Sequence, residues 1–210
     1  MDREPKSRTR ISYFWRNPVF YTSTISMFIM AIVLGIVGFN ISYVVAWGNR
    51  DKIQELNAST DVFAAIDAET LSGGSFTKDD MEKSKITAFN VWETTCPSCL
   101  GEMSTLEELS KSYPSSEFQL VGICADVYDT KGNLIPKQVD KAMAIMDNAG
   151  ITFTNLIPQK DMHAFIRASV VGYPTTFFVD SEGQIVRSTA GAKELDAWKS
   201  MVESVIEEQK

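Results

Sequence analysis

Residues 88–99 read AFNVWETTCPSC. The apolar half belongs to a buried strand expected over Lys85–Trp92, and the polar half leads into a helix expected from Pro97 to about Ser112. Cys96 and Cys99 therefore fall where a strand gives way to a helix. A helix N-terminus carries about half a positive charge and several unpaired N–H groups, so a sulfur placed there is stabilised as an anion. The thiolate is the nucleophile in disulfide exchange, and in such settings its pKa drops from ~8.5 to roughly 3.5–7.5. Cys96 is thus the expected attacking thiol. The two residues between the cysteines put Cys99 one turn along, as the more buried resolving thiol of a mixed disulfide. Pro97 suits the first helical turn, where its missing N–H has no intrahelical partner.

Three other readings of the pair compete with this one. A structural disulfide closing so small a loop removes little unfolded-state entropy. A zinc site needs four ligands, and only Cys124 and His163 remain to complete one, neither at ligand spacing. A coincidental pair of core thiols is the third. The strand-to-helix context of the CxxC favours redox chemistry over all of them. Peroxidatic cysteines usually follow Pro-x-x-x-Thr/Ser-x-x-Cys, and no proline stands in the NVWETT stretch ahead of Cys96.

Outward from this junction, strands and helices alternate. A hairpin fits Val62–Leu71 and Ser75–Thr77 around Gly73-Gly74. Leu100, Met103, Leu106 and Leu109 form one apolar stripe of the first long helix. A strand is expected at Phe118–Val127, a helix at Pro136–Asn148, a short strand at Ile151–Leu156 and a short helix at Asp161–Ser169. Thr175–Asp180 and Gln184–Ser188 make a hairpin. Lys193–Glu208 is a final helix with Leu195, Trp198, Val202 and Val205 facing inward. The order implies an α/β protein with a mixed sheet covered on both faces.

The chain has 210 residues, 44% hydrophobic, with a formal charge of −7. That acidity argues against nucleic-acid binding. Yet five basic residues (Arg3, Lys6, Arg8, Arg10, Arg16) crowd the first sixteen positions, against two acids. No charge occurs from Asn17 to Asn49, and Ile25–Trp47 is strongly apolar. At ~1.5 Å per residue such a helix spans a ~30 Å hydrocarbon layer. Tyr13, Phe14, Trp15, Phe20 and Tyr21 at one end, with Tyr43 and Trp47 at the other, fit two aromatic belts. A cleaved signal peptide is the competing reading, with Val44 and Ala46 as its small residues, but signal peptides have shorter apolar regions. The basic tip puts the N-terminus in the cytoplasm and the cysteine pair outside. The expected organisation is a cytoplasmic tip at 1–18, a transmembrane helix at 19–47, a linker at 48–60 and the α/β domain at 61–210.

The stretch AFNVWETTCPSC followed by LGEM, together with VVGYPTTFFVDSEGQIV, resembles the thioredoxin superfamily, above all membrane-anchored thiol-disulfide oxidoreductases of the TlpA/ResA type. The resemblance covers about Asp61 to the C-terminus. It implies a thioredoxin fold and no cofactor beyond the Cys96–Cys99 dithiol. Trp92 matches the aromatic four before the first cysteine. Asn90 stands where thioredoxin has a buried acid. Glu102 matches an acid that lines the active-site cavity and helps move protons. Pro174 matches the cis-proline loop that packs on the cysteines and offers backbone groups to an extended substrate. The implied partners are protein disulfides such as apocytochrome c, and a membrane thiol reductase of the CcdA or DsbD kind that re-reduces the pair. Three positions depart from the pattern: the proline follows the first cysteine instead of preceding the second, Ser104 replaces a common proline, and Thr95 replaces an aromatic.

Other residues read more plainly. Glu93 is a surface residue near the site, Tyr173 a turn aromatic or a substrate contact, Cys124 a small buried hydrophobe, and His163 a surface helix residue. The acidic end, Glu203, Glu207 and Glu208, is a solvated helix face. Besides reductase and oxidase, a redox-inert assembly module on the same scaffold is the remaining function class.

Overall fold

The computed structural model describes residues 62–209. The basic tip, the transmembrane helix and the linker expected from sequence lie outside the described residues. Among the described residues, no helix is long and apolar enough to cross a membrane.

Five strands form a sheet in the order β5-β4-β3-β6-β7: β3 Ile86–Trp92, β4 Phe118–Cys124, β5 Asn155–Leu156, β6 Thr175–Asp180 and β7 Ile185–Ala190. β3, β4 and β5 run parallel, while β6 and β7 are antiparallel to their neighbours. A separate hairpin, β1 Asp67–Glu69 with β2 Ser75–Thr77, precedes them and ends in the four-residue helix α1 Lys78–Met81. Thr70 bridges to Leu156, so this hairpin covers the short edge strand β5.

All seven residues of β3 are buried, because helices cover both faces of the sheet. Ile86 and Ala88 point to one face. There they meet Leu106 and Leu109 of α2 (Pro97–Ser110) and Trp198, Val202 and Val205 of α5 (Leu195–Glu208). Phe89 and Val91 point to the other face, toward Met162, Phe165 and Ile166 of α4 (Lys160–Ser169) and toward Val62, Phe63 and Ile66. This alternation is the period of two that a pleated strand imposes. Each large side chain so buried contributes about 1.5–3 kcal/mol. α3 (Pro136–Ala149) starts on proline and closes on Gly150 at φ 65°, a left-handed turn that glycine adopts without a Cβ clash.

Two close approaches fix the packing. In β4, Gly122 leaves room for the Asn155 side chain, where a Cβ would stand 1.8 Å from Asn155 Oδ1. In the turn between β6 and β7, a Cβ on Gly183 would stand 2.4 Å from the Ala64 backbone, so residue 64 lies flat against that turn.

The expected elements are present with shifted ends. β4 stops at Cys124, because Ala125–Val127 tightens into a 3-10 turn. β5 keeps two residues of the six expected, Asn155 and Leu156. Leu100, expected inside, is 38% exposed. At 100° per residue it falls outside the face made by Cys99, Met103, Leu106 and Leu109. Glu102 and Glu107 turn inward instead. Of the final helix, Trp198, Val202 and Val205 are buried, while Leu195 is only partly covered.

Candidate active site

β3 delivers the chain to the site at Trp92, and α2 starts five residues later. Cys96 is the N-cap of α2: its backbone is extended and its Sγ accepts from the Cys99 N–H at 3.2 Å. A sulfur thus fills the role that a Ser or Asp oxygen usually takes at a helix start. Cys96 and Cys99 form a disulfide, with Cα atoms 5.3 Å apart. Cys99 is 2% exposed, whereas Cys96 is only partly buried. The sulfur open to an incoming partner is therefore Cys96. It is also the one held by the helix end, where negative charge is favoured.

The second wall of the site comes from a segment about 75 residues on. The Tyr173–Pro174 peptide bond is cis, and Pro174 is buried. Gly191 N–H donates to Pro174 O at 2.8 Å, and Thr175 Oγ1 donates to Gly172 O at 2.7 Å. Tyr173 and Cys96 pack on one apolar cluster with Trp92, Cys99, Met103, Cys124 and Val127. The Ser98 hydroxyl lies 3.3 Å from Cys96 Sγ and 3.5 Å from Tyr173 O, linking the two walls.

Beneath the disulfide, the Trp92 indole N–H donates to Asn155 Oδ1 at 2.9 Å. Asn90 Nδ2 donates to Thr176 Oγ1 at 2.9 Å, joining β3 to β6 in the core. Both buried polar groups are satisfied, as buried polar groups in folded proteins are.

Carboxylates flank the pair on two sides. Glu102 is 4% exposed. Its Oε1 accepts from Lys193 N–H at 2.5 Å and from Trp198 Nε1 at 2.8 Å. The other oxygen, Oε2, is buried and has no partner among the described residues. Burial raises the Glu102 pKa, and the Lys193 and Trp198 donors only partly offset it. Beside it, a cavity of about 360 Å³ is bordered by Ser98, Thr105, Lys193 and Glu194. The Lys193 ammonium sits 5.0 Å from the centre of the Trp198 ring, a cation–π contact.

On the other side, Glu93 is half-buried and interacts with the Tyr173 phenol. Burial first, then the nearby Asp126 charge, pushes the Glu93 carboxyl up. Burial, reinforced by Glu93, pushes the Tyr173 phenol up to about 12. Asp126 is itself held by Thr94 N–H at 3.1 Å, Thr94 Oγ1 at 2.6 Å and Gln138 Nε2 at 2.8 Å. The buried Cys124 thiol donates to Asp126 Oδ1 at 3.3 Å. Burial, then Asp126, drives the Cys124 pKa up, so this thiol stays protonated and unreactive.

The structure thus brings Cys96, Cys99, Trp92 and Tyr173 onto one cluster, with cis-Pro174 next to Tyr173, and turns the Glu102 side chain of α2 toward Trp198. His163, expected on the surface, is half-buried with its ring 4.9 Å from that of Tyr128. The tyrosine folds over the exposed flank of α4, which a helical period alone does not reveal. Ser98, Thr94, Asp126, Gln138 and Asn155 were not singled out from sequence. Ser98 lay in plain view between the cysteines. The other four come from separate segments that only the sheet brings together.

A thioredoxin fold whose Cys-x-x-Cys disulfide caps a helix and faces a cis-proline defines a thioredoxin-like thiol-disulfide oxidoreductase. Comparison with known proteins places it further: the chain belongs to the AhpC/TSA family, whose description matches residues 60–188. It is 30% identical over 157 residues to the thioredoxin-like protein YneN of Bacillus subtilis, an alignment covering 75% of this chain and 83% of that one. It is 26% identical over 163 residues to the thiol-disulfide oxidoreductase ResA of Bacillus cereus, covering 78% and 84%. Among solved structures, a thioredoxin-family thiol:disulfide interchange protein from Chlorobium tepidum superposes with a TM-score of 0.57 at 19% identity. That superposition covers 68% of this chain and 93% of that one, and it shows the shared fold.

Proposed function

We propose that this oxidoreductase is tethered to the cell membrane with its thioredoxin-like domain outside the cytoplasm, where it reduces disulfides of envelope proteins, apocytochrome c among them. The observation that carries the reading is the part-exposed Cys96 at the start of α2, beside the cis-Pro174 loop, with Cys99 buried behind it. The uncharged stretch 17–49 behind a basic tip supports the tether.

In this reading the Cys96 thiolate attacks one substrate sulfur. A mixed disulfide forms and the other substrate sulfur leaves as a thiolate. Cys99, deprotonated, then attacks Cys96 Sγ and expels the second substrate thiolate. Two electrons pass to the substrate, and the protein is left with its Cys96–Cys99 disulfide. The space outside the membrane is oxidising, so a membrane thiol reductase of the CcdA or DsbD kind restores the dithiol. Glu102, three residues beyond Cys99 in α2 and raised in pKa by burial, takes and gives the Cys99 proton in this reading.

The test is trapping in cells. Cys99→Ser accumulates mixed disulfides with envelope proteins in the membrane fraction, and Cys96→Ser accumulates none. Equal trapping by both variants overturns the roles. No adducts together with no reduction of insulin overturns the redox reading in favour of an inert assembly module.

A further inference from the structure

Ser98 stands between two acceptors with one hydrogen to give. Its Oγ is 3.3 Å from Cys96 Sγ and 3.5 Å from Tyr173 O. In the disulfide Cys96 carries no proton, so the hydroxyl is the donor in both contacts. Ser98 is solvent-exposed, on the rim that a substrate must cross to reach Cys96. The neighbouring carbonyls of the loop are occupied within the fold, Gly172 O by Thr175 and Pro174 O by Gly191. Tyr173 O has no backbone partner among the described residues, and Ser98 is the group that reaches it.

We propose that Ser98 is a catalytic residue of the exchange reaction: its hydroxyl donates to the Cys96 thiolate, and a substrate strand that occupies the Tyr173 carbonyl drives the hydroxyl onto that sulfur. The proposal rests on the thiol-disulfide reading above and goes beyond it by tying substrate docking to activation of the nucleophile.

The physical argument is a competition. A neutral disulfide sulfur is a weak acceptor, so in the oxidised protein the hydroxyl is shared. On reduction Cys96 gains a full negative charge, and hydrogen bonds to charged acceptors are roughly twice as strong as neutral ones. The hydroxyl therefore turns toward Sγ and joins the Cys99 N–H already aimed at it. The Tyr173 carbonyl still competes, and an N–H from an extended substrate weakens that competition by taking one of its two lone pairs and crowding the long 3.5 Å contact. Docking thus tips the shared hydrogen toward the thiolate. The bond changes are those of the exchange itself: Cys96 Sγ bonds to a substrate sulfur, the substrate S–S bond breaks, and the departing sulfur takes the electron pair. Ser98 keeps its proton throughout. A donor to the charged form lowers the thiol pKa, so removing it raises that pKa.

The experiment uses the full chain, reduced, with Ser98→Ala and Ser98→Thr variants. The pH dependence of Cys96 alkylation by iodoacetamide gives its titration midpoint. Ser98→Ala raises the midpoint by about half to one pH unit, and Ser98→Thr, which keeps a hydroxyl, stays at the wild-type value. A saturating extended peptide without cysteines, copied from a Cys-x-x-Cys site with serines in place, lowers the wild-type midpoint by about 0.3 unit and leaves Ser98→Ala unmoved, as reciprocal linkage requires. An unmoved midpoint in Ser98→Ala overturns the donation. A peptide shift that is absent in the wild type, or equal in both proteins, overturns the coupling. A wild type with no Cys96 thiolate below pH 8 and no disulfide reductase activity overturns the underlying function instead, so the two failures are told apart.

Discussion

Gly122→Ala tests whether the floor of the active site is as closely built as its distances say. The added Cβ stands 1.8 Å from Asn155 Oδ1 and 2.5 Å from its Cγ, where real contacts do not go below 3.0 Å. Asn155 is 3% exposed and cannot swing into water. It also holds the Trp92 indole N–H at 2.9 Å, so moving it strands a buried donor. Overpacking of this kind costs about 1–3 kcal/mol, and an unsatisfied buried donor about 1–3 kcal/mol more. The sum is about 2–6 kcal/mol, a large part of the usual ~5–15 kcal/mol of a domain. At ~2–4 °C per kcal/mol for a chain of this size, Tm falls by about 4–24 °C. The assay is thermal unfolding of the oxidised protein followed by circular dichroism. Asn155→Ala removes the clashing group, so the double variant melts no lower than Asn155→Ala alone. A fall below about 2 °C for Gly122→Ala, or strictly additive losses in the double variant, refutes the reasoning.

Two further outcomes follow from the titrating groups. The Glu102 carboxyl is raised above its ordinary 4.5 by burial, so the native state holds that proton to higher pH than the unfolded chain does. Its contribution to stability is full below about 4.5 and is lost as pH rises through the folded value. Glu102→Gln should flatten that decline in a urea-unfolding series from pH 4 to 8, and parallel wild-type and variant curves would count against it. Cys124 is buried and its thiol is pushed up, so with Cys96 and Cys99 in their disulfide iodoacetamide should label it at least about a hundredfold more slowly in the folded protein than in guanidinium. Equal labelling rates would mean that the thiol is accessible.

What could be read from sequence followed from local rules. Pro97 and Pro136 mark helix starts because a first-turn residue needs no N–H, and Ser181-Glu182-Gly183 marks the turn between β6 and β7 because glycine adopts the φ of 90° found there without a Cβ clash. The cysteine pair was legible for the same reason, since strand, sulfur and helix start are contiguous. What stayed hidden depends on segments far apart in the chain. Glu102 looks like a solvated helix residue until Lys193 N–H and the Trp198 indole close over it. Glu107 is likewise tucked in, opposed by burial but held ionised by Lys111 and by the Thr152 donors. Leu100 misled the apolar stripe because a spacing of three drifts around a helix of 3.6 residues per turn. Asp126, Thr94 and Gln138 carry no local signature at all, for their meaning lies in meeting one another.

Ala64 lies against the Gly183 turn, and that turn joins β6 to β7 at the end where Asp180 pairs with Ile86, the first residue of β3. The sulfurs sit past the last residue of β3. Seven residues at ~3.3 Å each separate the two ends by roughly 20 Å. The first described residues thus run along the rear of the domain, at the pole opposite the reactive bond.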